Sequence, residues 1–259
     1  MPQPFGQADP LRAAPSAGGL PQTFGVTSNP MSDDVITYDE MCRREQPRLQ
    51  RGMSFRIGKN HSVVLMSVLP NAPYRDRIED SGTTLVYEGH DLRRSKSGPN
   101  PKEVDQPLRY PNGAKTPNGR FHEAAQDAKA GRRLPERVRV YEKLCSGVWS
   151  YNGVFHLVDS WIENDKIRAV LKFKLLAVEG EEDFEQPVRP TAELRRLIPT
   201  QVKIVVWKRD GGKCSACGRS DELHFHRTNS RSRDSALPDA TDVRLLCARH
   251  NPAKSDGVK

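Results

Sequence analysis

The chain has 259 residues, with 41 Lys and Arg against 33 Asp and Glu and a formal charge of +8. That length suits two domains of ordinary size, and the 36% apolar fraction fills two modest cores. No run of about 18 apolar residues exists, so no membrane-spanning helix is expected, and no basic-then-apolar start marks a signal peptide. The five cysteines do not form a disulfide framework, and a reducing cytosol is expected.

Residues 1–30 hold six prolines, four glycines and two charged groups, Asp9 and Arg12. No periodicity appears, and a disordered tail is expected over 1–32. From Thr37 the stretch YDEMCRREQPRLQRG reads as a helix, with Thr37 or Asp39 as cap and Pro47 limiting its length. His61 to Leu69 is a short, valine-rich apolar run that reads as a buried strand. Asp80-Ser81-Gly82 is a turn, and TTLVYEG after it is a strand rich in β-branched and aromatic residues.

The stretch YRDRIEDSGTTLVYEGHD (74–91) and the later WSYNGVFHLVDSWIE resemble the SRA domain family, which binds 5-methylcytosine flipped out of DNA. The resemblance spans about Gly52 to Val178. It implies that Tyr74 and Tyr87 stack on the base, that Asp76 reads the exocyclic amine, and that the backbone at Glu88-Gly89 contacts the base. Such an arrangement suits the task, because extrusion costs a few kcal/mol and stacking returns about 1–3 kcal/mol per base. The residues by themselves also fit two tyrosines packed in a hairpin core and an Asp76 that caps a turn.

His90 to Arg120 is rich in Pro, Gly, Asn and basic residues. It reads as long loops facing DNA, or as a solvated loop. Arg93, Arg94 and Lys96 suit phosphates, and Asn118 or Arg120 suits a groove. Phe121 to Gly131 reads as a helix ended by glycine. PERVRVYEKL alternates valine with arginine, as a half-exposed strand does. WSYNGVFHLVDSWIEN reads as a hairpin turning at Asn152-Gly153, and IRAVLKFKLLAV as a long strand. Many short strands with few helices predict a curved sheet or partly closed barrel. The acidic, Pro-flanked stretch 181–194 reads as a linker between a first domain, 33–180, and a second, 195–259.

That second segment carries 14 Lys and Arg against seven Asp and Glu, which favours a polyanion. TAELRRLIPTQVKIVVWKRDGG reads as helical and leads to Cys214 and Cys217. Cys247 and His250 follow with the same gap after 29 intervening residues. Two such pairs suit a tetrahedral structural Zn2+; the alternative is four thiols and imidazoles without a metal. CSACG, ELHFH and DVRLLCARHN with Lys254 resemble the HNH nuclease family, a ββα-metal finger. The resemblance implies that Asn251 holds a catalytic divalent cation, Mg2+ or Mn2+. The middle asparagine of the family pattern falls on Asp242. Two registers fit the first strand. With a one-residue gap His226 is the general base; without it His226 takes the metal position, Arg227 replaces the base, and Arg231-Ser232-Arg233 matches a basic loop.

The whole reading is an α+β protein with an SRA-like part and an HNH-like part. It implies a bacterial, cytoplasmic, modification-dependent restriction endonuclease acting on double-stranded DNA. A homodimer would cut both strands. A pure binding protein of degenerate nuclease fold is the alternative.

Overall fold

The computed structural model describes residues 33–46, 49, 52–57, 61–181, 183–189, 191–228 and 237–252. The expected tail over 1–32, the basic loop at Arg231-Ser232-Arg233 and Lys254 lie outside these residues.

The fold is mixed α+β, a strand-rich open sheet with few helices. Strand β1 (Asp34–Ile36) leads to helix α1 (Tyr38–Glu45). Thr37 and Glu40 form a capping box: each side chain accepts from the other's backbone N–H, at 3.2 and 2.8 Å. The helix ends at Gln46, whose φ is +70°, just before Pro47. Four short strands follow: β2 (Met53–Ser54), β3 (Ser62–Met66), β4 (Arg77–Glu79) and β5 (Thr84–Glu88). Helix α2 spans Pro117–Lys129 and starts four residues before the predicted Phe121. Thr116 caps it by accepting from Gly119 N at 3.1 Å, and Pro117 occupies the first turn.

Next come β6 (Glu136–Cys145), β7 (Val148–Asn164) and β8 (Ala169–Ala177), then α3 (Thr200–Arg209), β9 (Leu223–Arg227) and β10 (Val243–Cys247). The predicted hairpin at Asn152-Gly153 is instead the middle of β7. Arg139 pairs with Val154 and Tyr141 with Tyr151, so β7 carries one extra residue there. Gly153, at φ +82°, forms that bulge. Asn152 is fully buried and donates to Glu142 Oε2 at 2.9 Å. The turn falls earlier, at Ser146-Gly147, between paired Cys145 and Val148.

Strand β7 organises the sheet. One edge pairs with β6, which pairs in parallel with β3, and β3 with β2. The other edge is shared: β1 takes Trp149 to Tyr151, and β8 takes Phe155 onward. Beyond β8 lie β5 and β4. On its far side β1 pairs with β9 through Asp34 and His224, and β9 pairs with β10. Among the described residues, ten strands thus share one hydrogen-bonded open sheet, the curved-sheet alternative rather than a closed barrel.

The main core packs Val64, Leu85, Tyr87, Val138, Phe155 and Phe173 on one face. A second cluster joins Leu144 to Val206, Phe225, Leu245 and Cys247. The predicted half-exposure of β6 does not hold, since its charged face is covered. Arg137 donates to the carbonyls of Asp183 and Phe184, both at 3.1 Å, and Arg139 donates to Glu45 at 3.0 Å. Part of the acidic segment therefore lies on the sheet, with Glu181 buried.

Candidate base-binding cleft and metal knuckle

Between β5 and α2 the chain wraps a cleft of about 810 Å3 whose lining includes Tyr74, His90, Arg93, Arg94, Lys102 and Asn118. Tyr74 stacks on His90, with ring centroids 5.4 Å apart and planes 15° from parallel. Lys102 Nζ sits 4.2 Å from the Tyr74 ring centre. Burial pushes the Tyr74 phenol above its ordinary pKa. The wall is pinned by Asp91, which pairs with Arg168 at 2.6 Å and Lys102 at 2.8 Å. Burial pushes the Asp91 carboxyl up, but hydrogen bonds from Lys102, Gln106 and Arg168 outweigh it and hold the pKa low. Arg93 and Arg94 are exposed at the rim, while exposed Lys96 and Arg120 do not line the cleft.

Four predicted base contacts, Tyr87, Asp76, Glu88 and Gly89, and the groove residue Asn118 make hydrogen bonds within the protein. Tyr87 is 1% exposed and belongs to the main core; its hydroxyl donates to Gly52 O at 2.8 Å. It has no open face for stacking, because β5 is covered on both sides. Asp76 ties two strand ends: its oxygens accept from Ser67 N at 2.9 Å and Glu88 N at 3.0 Å. Desolvation raises its pKa to about 7, against those two donors. Asn118 is buried in the cleft wall. It accepts from His90 N and donates to His90 O, both at 2.8 Å. Glu88 is bound to Lys172 Nζ at 2.7 Å, and Gly89 O accepts from Gln106 at 2.7 Å. His90 and Lys102 were not singled out from sequence. The Gly-His-Asp run after β5 carried a signal for the first; nothing marked Lys102 within its Pro-rich loop.

The knuckle assembles as the paired spacing predicts. After α3, Gly211 and Gly212 turn at φ +62° and +65°. Cys214 N donates to Arg219 O at 2.7 Å, and Gly218 N to Cys214 O at 2.8 Å. His250 N and Asn251 N both donate to Cys247 O, at 2.9 and 3.0 Å. The ligand atoms of Cys214, Cys217, Cys247 and His250 lie within 4.8 Å of one another. Cys217 Sγ is 3.8 Å from Cys247 Sγ, and His250 Nδ1 is 3.7 and 3.4 Å from Cys214 and Cys247 Sγ. A zinc tetrahedron with bonds of about 2.3 Å to sulfur and about 2.0 Å to nitrogen has edges of about 3.5–3.8 Å. The donor set fits that ion. Burial alone would raise the Cys214 thiol, but backbone N–H donors outweigh it and draw its pKa down to about 6.

On β9 the candidate catalytic residues meet in part. The His226 side chain hydrogen-bonds with Asn251, and burial pushes its pKa below the usual imidazole value. Asn251 is itself buried. Asp242 closes the strand connection: its carbonyl accepts from Thr228 N at 2.8 Å and Thr228 Oγ1 at 3.1 Å. Its place is therefore in the turn before β10. Among the described residues, only the Cys3His cluster brings three or more Cys, His or acidic groups to metal-binding distance. His224, two residues before His226, lies 2.8 Å through Nδ1 from Asp34 Oδ1 of β1. Sequence reasoning missed this pair because 190 positions separate its members.

No protein-family model and no curated protein matches the chain. Among solved structures, it is similar to a "Modification dependent TagI restriction endonuclease", at 17% identity and TM-score 0.41, over 86% of this chain and 76% of that one. It is also similar to the SUVH5 SRA domain bound to fully hydroxymethylated CG DNA, at 21% identity and TM-score 0.41, over 64% and 96%. A third similarity is to KRYPTONITE in complex with mCHH DNA, H3(1-15) peptide and SAH, at 16% identity and TM-score 0.41, over 61% and 34%.

Proposed function

We propose that this protein is a modification-dependent DNA endonuclease, in which residues 33–180 read a flipped, modified cytosine and residues 195–259 cut a phosphodiester bond nearby. The observation that carries this reading is the cleft: an aromatic ring, Tyr74, set among Arg93, Arg94 and Lys102. An aromatic face takes any base by stacking, and guanidinium and ammonium groups take phosphates.

Cys214, Cys217, Cys247 and His250 hold a structural zinc, which fixes the β9–β10 hairpin. His226 is the proton acceptor: its depressed pKa keeps the imidazole neutral near pH 7, the form that takes a proton from water. With His226 as the base, Asn251 would hold the Mg2+ or Mn2+, and among the described residues only the Cys3His cluster brings three or more Cys, His or acidic groups to metal-binding distance. This shortfall, together with Arg227 beside His226, favours a second reading, a nuclease fold that clamps modified DNA without cutting it.

One plasmid, prepared with and without cytosine methylation, separates these readings when incubated with the protein in magnesium and then manganese. Cleavage of the methylated form alone, abolished by His226→Ala, is the expected result. Equal cleavage of both forms sinks the base-reading role. A methyl-specific gel shift without cleavage establishes the clamp.

A further inference from the structure

Two tyrosines line the cleft: Tyr110, which is exposed, and Tyr74, whose ring is stacked on His90. The imidazole is seated rather than loose. Its Nε2 lies 3.2 Å from the Tyr87 hydroxyl, whose proton is committed to Gly52 O, so Nε2–H is the donor. Gly52 leaves just enough room: a Cβ there would approach Tyr87 Oη to 3.0 Å and His90 Nε2 to 3.1 Å. Asn118 holds both backbone polar groups of His90, so the ring can leave only by side-chain rotation.

We infer that His90 is a gating residue that closes the Tyr74 stacking face in free protein and rotates away when a planar base enters. The inference rests on the base-reading function proposed above and deepens it. A planar ring of a base and an imidazole compete for one aromatic face, and both offer similar dispersion and quadrupole terms. The exchange is therefore near balance, and the added apolar contact of a methyl group tips it. A site open only part of the time has its affinity reduced to that open fraction of its intrinsic value. Bases that gain little from the pocket then stay in the duplex, and the gate suppresses flipping of unmodified DNA.

The test measures fluorescence anisotropy with the full chain and a duplex carrying one 5-methylcytosine, alongside 2-aminopurine emission beside the same position in an unmodified duplex. His90→Ala should tighten binding of the methylated duplex by up to about tenfold. It should also raise the unstacking signal on unmodified DNA, with the salt dependence of binding unchanged. His90→Phe, which keeps a ring against Tyr74, should stay near wild type and controls for folding. Weaker binding by His90→Ala would make the imidazole a partner of the base, and unchanged binding would leave it no part in the site; either overturns the gate. If Tyr74→Ala leaves methylated-duplex binding untouched, the base-reading function itself fails at this cleft, and the gate fails with it.

Discussion

Asp76 accepts two backbone N–H bonds, yet its pKa is raised to about 7 because its carboxyl is desolvated. A carboxyl that binds its proton more tightly in the folded state stabilises the fold fully below its unfolded pKa, 3.8. That contribution is lost as pH rises toward and through 7. Between pH 5 and pH 8 it should amount to about 2–3 kcal/mol. Urea unfolding at both pH values should show wild-type stability falling by about that much and Asp76→Asn stability falling less; equal slopes would rule this account out. Arg93 and Arg94 stand exposed at the cleft rim and should act through phosphates alone. Each Arg→Ala change should weaken methylated and unmodified DNA alike and lower the salt slope by about 1, read from binding titrations at several salt concentrations.

Among the elements, β1 and α3 do most to fix the C-terminal hairpin against the main sheet. The three residues of β1 pair with β7 on one side, and Asp34 pairs with His224 of β9 on the other. From α3, Lys203 is fully buried and donates to Asn152 Oδ1 at 2.6 Å, Ser150 Oγ at 3.1 Å and Glu142 Oε2 at 3.2 Å. It also lies 3.0 Å from Asp33 Oδ1. Burial raises Asp33, but Lys203 and Arg195 outweigh it and hold its pKa low. Removing one member of such a group strands the others in a dry site. Lys203→Met should cost about 3–5 kcal/mol in denaturant unfolding. Adding Glu142→Gln should recover part of that loss, since one stranded charge goes with it; strict additivity of the two changes would contradict the shared network.

For the molecule as a whole, a zinc ion held by the Cys3His cluster would add to the stability of the C-terminal part. Two of the four ligands, Cys214 and Cys247, belong to the local core, so metal binding energy there would act as folding energy. Metal analysis should find one zinc per chain. Cys217 is exposed, so Cys217→Ser disturbs packing little and isolates the metal effect. The variant should lose zinc and unfold at lower temperature, as wild type should with a chelator; retention of full zinc would remove Cys217 from the ligand set. Among the described residues no helix is long and apolar enough to cross a membrane.

Local chemistry was legible where it depends on neighbours in the chain. The Thr37 capping box, the strand at Thr84–Glu88 and the two metal-ligand pairs each follow from residues three to five positions apart. Even there a local rule could be overridden. Asn152-Gly153 is a strong turn signal, yet the buried partners of Asn152, Glu142 and Lys203, hold it within a strand as a bulge. Burial of a polar side chain is decided by what comes to cover it. Arg137 and Arg139 read as a solvent face, and only folding brings Phe184 and Glu45 over them. The same holds in the cleft, where Tyr87 turned inward and His90 covered Tyr74. By itself the sequence determined the strand-rich α+β class, the candidate metal ligands and the basic C-terminal segment, because composition and short spacings carry them. The tertiary structure alone decided that β1 joins hairpin to sheet, that Asp34 meets His224, and that Tyr74 lines the cleft while Tyr87 is buried, because those depend on contacts between residues far apart in the chain.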